Sequence, residues 1–230
     1  LYVILHTQQT RSAMEQETQL AHMETKLAKQ SVELSDSRIN IMLSQIQPHF
    51  LFNALTSISV LCEKNPMKAQ TALNDFADYL RGNLDSLRRT APVPFSKELK
   101  HIKIYLSLEQ MRFESELNVV YDIETDSFLL PALTVQPLVE NAVKYGVGKK
   151  PGGGTVTIST REEATCFSIT VADDGVGYDP QETQYDGRTH IGIDNVRARL
   201  AAMVGGTLTI QSEKGRGTSA TIQLPKEKLT

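Results

Sequence analysis

Thr155-Val156-Thr157-Ile158-Ser159-Thr160 alternates apolar and hydroxyl-bearing side chains, and every position except Ser159 is β-branched. A period of two sends successive side chains to opposite faces, so the stretch predicts a strand with one covered and one wet face. Cys166 to Ala172, Thr207 to Ser212 and Ser219 to Leu224 read as strands on its C-terminal side, and Leu117 to Ile123 on its N-terminal side. Helical spacing between them predicts helices from Lys97 to Phe113, Leu133 to Tyr145 and Ile191 to Met203. Helices and strands in this mixed order, ending in a hairpin, predict an α/β sandwich with helices on one face of a mixed sheet. Gly152-Gly153-Gly154 lacks the GxxxxGK[ST] pattern of a Walker loop and reads as a flexible connection.

Ahead of this half, Ala91-Pro92-Val93-Pro94 has linker composition and marks a domain boundary. The pattern before it is wholly helical. From His6 to Cys62 there is no glycine and no proline other than Pro48, which favours one long helix. Ala13, Leu20, Leu27, Leu34 and Ile41 recur every seventh residue, and because the residues around this row are polar, a coiled-coil dimer seam is favoured over a single amphipathic surface helix. Glu63-Lys64-Asn65-Pro66 breaks the helix, and Met67 to Leu87 resumes it through Leu73, Phe76, Leu80, Leu84 and Leu87. The expected unit is a helical hairpin that needs a second copy to cover its apolar stripe, giving a four-helix bundle in a homodimer. The fold class is therefore α+β, with segments 1–38, 39–92 and 93–230.

A chain of 230 residues with 40% hydrophobic content can bury a core, which excludes intrinsic disorder. A formal net charge of -3 supplies no basic field, so direct nucleic-acid binding is not expected. Cys62 and Cys166 stand far apart with no CxxC or Cys/His cluster, which argues for a reducing compartment and for two buried small hydrophobes. The opening run Leu1-Tyr2-Val3-Ile4-Leu5 is far shorter than the ~20 residues a membrane span requires. It reads either as a frayed terminus or as the tail of a membrane helix belonging to a longer protein.

His49 and Asn53 lie four residues apart and hence on one helical face. A neutral imidazole has a free ring nitrogen near pH 7, so His49 can attack phosphorus without prior deprotonation while Asn53 orients it. Pro48 removes a backbone donor beside it and bends or loosens the helix there. Phe50, Leu51 and Phe52 read as core and register.

Pro48-His49-Phe50-Leu51-Phe52-Asn53 resembles the phosphoacceptor box of the LytS-like, autolysin-sensor branch of sensor histidine kinases. The second half resembles the ATP site of the gyrase, Hsp90, histidine-kinase and MutL (GHKL) superfamily. Its N-box is matched by Glu140-Asn141-Ala142-Val143-Lys144-Tyr145-Gly146, and its DxGxG motif by Asp173-Asp174-Gly175-Val176-Gly177. Gly192-Ile193-Asp194-Asn195 opens a helix whose free N–H groups suit a triphosphate. Gly215-Arg216-Gly217-Thr218 is similar to the last glycine box.

The resemblance implies ATP and Mg²⁺ as cofactors, with the Asn141 amide oxygen on the metal and Lys144 near phosphate. It implies that Asp173 accepts a hydrogen bond from the adenine amino group, beside Gly175 and Gly177. It further implies phosphorylation of His49 and a second transfer to an aspartate of a response regulator. Residues 1–38 become a membrane-proximal signalling helix, 39–92 a dimerisation and phosphotransfer domain, and 93–230 the catalytic domain. The chain is then the cytoplasmic portion of a protein anchored in the inner or plasma membrane. The stretch from Tyr178 to His190 is expected to be an ATP lid. Phe50 stands where many other histidine kinases carry an acid, which leaves Glu140, or Gln45 as an orienting group, as candidates to handle the imidazole proton.

Overall fold

The computed structural model describes residues 48–87, 91–179 and 190–228. The long helix before Pro48, its seven-residue row, Gln45 and most of the expected lid lie outside the described residues. The chain divides into two compact units, Leu1–Phe50 and Leu51–Thr230. In the first, Pro48, His49 and Phe50 begin the described part of helix α1 (Pro48–Lys64); Pro48 and His49 are exposed and Phe50 is buried.

In the second unit α1 closes with the Asn65 N–H on the Leu61 carbonyl, 2.7 Å. The Asn65 side chain then accepts the Lys68 N–H at 3.1 Å and caps helix α2 (Pro66–Leu87), with Pro66 at the first helical position where no amide donor is needed. The buried face of α2 is Ala69, Ala72, Phe76, Tyr79 and Asn83, while Leu73 and Leu84 are exposed. Beside the expected stripe, α2 thus carries an inward face that the sequence pattern did not single out. That face is seated by Tyr79, which stacks on His101 of helix α3 (Phe95–Phe113), with ring centroids 5.0 Å apart. Phe52 is exposed too, so the Phe50 to Phe52 cluster is not uniformly core. Cys62 is exposed and Cys166 half-buried, so neither is the buried hydrophobe expected.

Strands β2 (Leu117–Ile123), β4 (Gly154–Glu162), β5 (Cys166–Asp173), β6 (Thr207–Glu213) and β7 (Gly217–Pro225) form one sheet in the order β2-β4-β5-β7-β6. Only β2 and β4 are parallel in it. Period-two alternation puts Val156 and Ile158, Ile169 and Val171, and Ala220 and Ile222 on the buried face. Helices α3, α4 (Gln136–Asn141) and α5 (His190–Val204) supply matching buried rows: Ile102 and Leu106, Leu138 and Val139, and Val196 and Leu200. This is the mixed sheet with helical cover that the strand pattern predicts.

Three local readings change. Val93 and Pro94, expected as linker, form strand β1 and pair with Leu130 and Leu129 of β3 (Leu129–Leu130). The glycine tract is a tight turn: Gly152 and Gly153 have φ of 82° and 76°, and a Cβ on Gly153 would overlap the Glu116 carbonyl. The helix expected from Leu133 begins three residues later, because Leu133 takes a left-handed φ of 56°. A π-helical turn, Ala142–Gly146, then continues α4. Such turns are rare and cluster at functional sites.

Candidate functional site

Ile169, Val171 and Asp173 occupy the same face of β5, so the strand's alternation delivers a carboxylate to the end of an apolar row. Asp173 is 9% exposed. The Gly175 N–H donates to Oδ1 at 2.9 Å, and the Thr218 backbone N–H donates as well. Burial nevertheless dominates and pushes the Asp173 carboxyl up to about 6. Asp174, one residue on, points to the opposite face. It accepts the Thr155 N–H at 2.8 Å, forms a 3.5 Å ion pair with Lys150 and is half exposed. The two adjacent acids thus divide their work: Asp174 braces the turn into β4, and Asp173 is an inward-facing acceptor.

Glycines pack the ground around Asp173. A Cβ on Gly146 would overlap the Asp173 carboxylate, and one on Gly175 would overlap the Gly146 backbone. Gly177 and Gly217 have φ of 56° and 100°, and a Cβ there would strike the Glu213 and Asp173 carbonyls respectively. The Gly215 N–H donates to the Val176 carbonyl at 2.6 Å, tying the β6–β7 turn to the loop after β5. The structure thus brings together Gly146, Asp173, Gly175, Gly177, Gly215, Gly217 and Thr218. An open groove of about 310 Å³ alongside is lined by Asp173, Ser212, Arg216 and Thr218. The Thr218 hydroxyl lies 2.9 Å from the Ser212 hydroxyl, which also accepts the Tyr178 N–H. Gly192 and Asn195 are exposed near the start of α5, and Gly192 has open space around it.

Of the N-box residues, Glu140 is buried, Asn141 is half-buried and Lys144 is exposed. The Lys144 ammonium stands 4.8 Å over the Tyr145 ring. Glu140 Oε1 accepts the Gln136 amide at 2.7 Å. The helix that carries them is fixed at its start by a residue the sequence reading passed over. Glu98 of α3 accepts the Val135 and Gln136 N–H groups at 2.6 and 3.2 Å, satisfying donors that the first turn leaves orphaned. Burial raises the Glu98 carboxyl to about 7 against the lowering effect of those N–H groups and of Arg199. Arg199 of α5 donates to the Leu133 carbonyl at 2.5 Å, so the strained Leu133 backbone links α5 to the N-box helix. A polar residue between the apolar positions Phe95, Leu99 and Ile102 was the available signal for Glu98.

His49 is exposed and Asn53 half-buried, four residues apart on α1. His49 belongs to the first compact unit, and Asp173 with the glycines around it to the second.

Residues 37–117 match the family described as histidine kinase, and residues 129–228 match the histidine kinase-, DNA gyrase B- and HSP90-like ATPase family. YwpD of Bacillus subtilis (strain 168) is 38% identical over 187 residues, covering 78% of this chain and 66% of that protein. The sensor protein LytS of the same organism is 34% identical over 224 residues, covering 92% of this chain and 37% of LytS. This chain therefore spans about two thirds of the one relative and little more than a third of the other. The histidine kinase domain of the blue-light activated histidine kinase EL346 from Erythrobacter litoralis shares the fold. It has a TM-score of 0.50 at 15% identity, covering 84% of this chain and 96% of that one. With a histidine kinase segment followed by an ATP-binding domain of the GHKL fold, the chain belongs to the LytS-like sensor histidine kinases.

Proposed function

We propose that this chain is the kinase core of a two-component sensor, which phosphorylates itself on His49 from ATP and passes the phosphoryl group to an aspartate of a response regulator. The observation that carries the reading is the Asp173 carboxylate, buried with two backbone donors in a glycine-walled site, in a chain that also bears an exposed imidazole at His49. An acceptor so placed suits the amino group of adenine. Gly175, Gly177 and Gly217 allow the close approach that a flat base requires.

In the transfer, a ring nitrogen of His49 bonds to the γ-phosphorus while the bond from that phosphorus to the β,γ-bridging oxygen breaks. ADP leaves with the electron pair. The imidazole proton passes to an acceptor, for which Glu140 is preferred over Gln45 because only a carboxylate accepts a proton usefully near neutrality. Asn53 orients the ring from the next turn of α1. Lys144, Gly192 and Asn195 are assigned to the phosphates, and Gly215 and the Thr218 hydroxyl to the nucleotide beside Asp173. Catalysis of this kind rests on positioning and charge neutralisation.

Mg²⁺ is commonly held by one or two protein oxygens together with phosphates, and the half-buried Asn141 amide is the donor assigned to it. When bound, Mg²⁺ neutralises charge on the phosphates.

The segments 1–38, 39–92 and 93–230 are proposed as signalling helix, dimerisation and phosphotransfer domain, and catalytic domain. A homodimer is supported by the exposed apolar side chains Phe52, Leu55, Leu73 and Leu84 on α1 and α2. Anchoring to a membrane, with this chain on its cytoplasmic side, is proposed for the full-length protein. Among the described residues no helix is long and apolar enough to cross a bilayer.

Incubation with Mg²⁺ and γ-labelled ATP tests the reading. A kinase gives label on the protein that is acid-labile and base-stable. Steady release of phosphate over many turnovers without such label would point to an ATPase, and nucleotide binding with neither would point to a scaffold.

A further inference from the structure

Helix α2 and the N-box helix α4 share one buried polar cluster. Gln136, at the first position of α4, is 5% exposed among Val135, Leu138 and Val139, all buried. A buried amide must find partners for its two N–H groups. The shortest contact, 2.7 Å, runs to Glu140 Oε1, one helical turn on. The same nitrogen lies 3.1 Å from the Tyr79 hydroxyl and 3.4 Å from Asn83 Oδ1, both on α2. Tyr79 also points its hydroxyl at Glu140 Oε1, at 3.5 Å. Behind them the His101 ring stacks on Tyr79 and its Nε2 lies 3.1 Å from Asn83 Oδ1.

Two features make Gln136 more than packing. The Glu140 carboxylate rotates about its own side chain unless something holds one oxygen, and Gln136 holds Oε1 at the distance of a strong charge-assisted bond. The group that fixes the Gln136 amide is not on its own helix but on α2, which continues from the histidine-bearing helix. A shift of α2 by a fraction of an ångström moves Tyr79 and Asn83, and with them the amide and the carboxylate.

We propose that Gln136 is a positioning residue for Glu140, and that Tyr79 and Asn83 make the orientation of this carboxylate depend on the seating of helix α2. The inference rests on the reading of Glu140 as the group that handles the His49 proton. Gln136 does not touch the reacting atoms; it sets which oxygen of Glu140 is presented and where. Tyr79 and Asn83 are the route by which a movement in the helical part reaches the ATP-binding part.

The test measures the initial rate of phosphoprotein formation at saturating ATP in the full chain, with nucleotide affinity measured separately by a fluorescent ATP analogue. Gln136→Met removes both donors at similar volume, and Gln136→Leu removes them with a branched apolar side chain. Both slow the rate by about tenfold or more while affinity stays within about twofold of the parent. Tyr79→Phe, which keeps the ring stack, slows it by about threefold. In a Glu140→Gln background, Gln136→Met adds no further loss, because the residue it positions no longer acts.

Parent-like rates in both Gln136 variants, or a loss that multiplies undiminished onto Glu140→Gln, would overturn the proposal. So would a fall in nucleotide affinity matching the fall in rate, since that reports a damaged ATP site. Should either Gln136 variant fail to fold, a parent-like Tyr79→Phe rate has the same force. A Glu140→Gln variant as fast as the parent would instead sink the underlying reading of Glu140. A slow Glu140→Gln beside parent-like Gln136 variants sinks the positioning role alone.

Discussion

Gly146 ends the π-helical turn of the N-box with its Cα directly against the Asp173 carboxylate, so that any side chain at 146 would occupy the space of Asp173 Oδ1. The contact joins two motifs 27 residues apart in sequence and explains why the helix widens there: the wider turn lays the Gly146 backbone beside β5. Gly146→Ala is expected to displace the carboxylate and lower ATP affinity by at least about tenfold, the scale of one lost charge-assisted bond. Calorimetric titration of the variant with ATP checks this, and an affinity equal to the parent's would contradict it.

The pH dependence of nucleotide binding follows from the same carboxylate. Asp173 titrates at about 6, above the ordinary aspartate value of 3.8, because burial disfavours its anion. As pH falls through about 6 the anionic acceptor is lost, and ATP affinity is expected to fall with it. Asp173→Asn should bind weakly at every pH and show no inflection there. Equilibrium titrations between pH 5 and 8, read against the titration of ATP itself, separate the two curves.

Glu98 predicts a dependence of stability on pH. Its folded value, about 7, is raised above the reference value of 4.5, so the native state binds the proton more tightly. The stability it contributes is fully present below pH 4.5 and is lost as pH rises through about 7. Glu98→Gln keeps an acceptor for the Val135 and Gln136 N–H groups but cannot ionise. Its stability relative to the parent should therefore improve steadily from pH 4.5 to 7. His101 runs the other way, since burial lowers it to about 4 from 6.5 and its contribution is lost as pH falls between those values. The difference between Glu98→Gln and the parent cancels the His101 contribution. Urea unfolding at several pH values measures that difference, and a flat one would contradict the assignment.

Gly82 lets α2 pass the His101 ring: a Cβ there would come within 2.6 Å of Nδ1. In an open helix Gly→Ala stabilises by about 1 kcal/mol. Here the ring is held between Tyr79 and Asn83, so Gly82→Ala is expected to destabilise the chain by about 1–3 kcal/mol through overpacking. Denaturant unfolding decides the sign.

The sheet was legible because its strands alternate: Leu117 to Ile123 is strand over those same residues, and Thr155 to Arg161 grows by one residue at each end. The glycine motifs were legible as motifs, yet their spacing did not tell which glycines carry steric duty. Gly146, Gly175, Gly177 and Gly217 meet backbone or the Asp173 carboxylate, whereas Gly192 and Gly215 have open space where a Cβ would sit. The buried Glu98, Gln136 and Asn83 and the half-buried His101 escaped, because their partners on other elements lie 18 to 57 residues away and no local pattern encodes such pairing. The inward face of α2 escaped for a related reason. Leu73 and Leu84 fit helical spacing as well as Tyr79 does, and the stacking on His101 decides between the faces.

The γ-phosphoryl group of ATP is expected to end on His49. The most direct test of this is incubation of the chain and of a His49→Gln variant with Mg²⁺ and γ-labelled ATP, with nucleotide affinity measured in parallel. The expected result is acid-labile, base-stable label on the parent, none on the variant, and equal affinity in both. Equal label on the two proteins would contradict it.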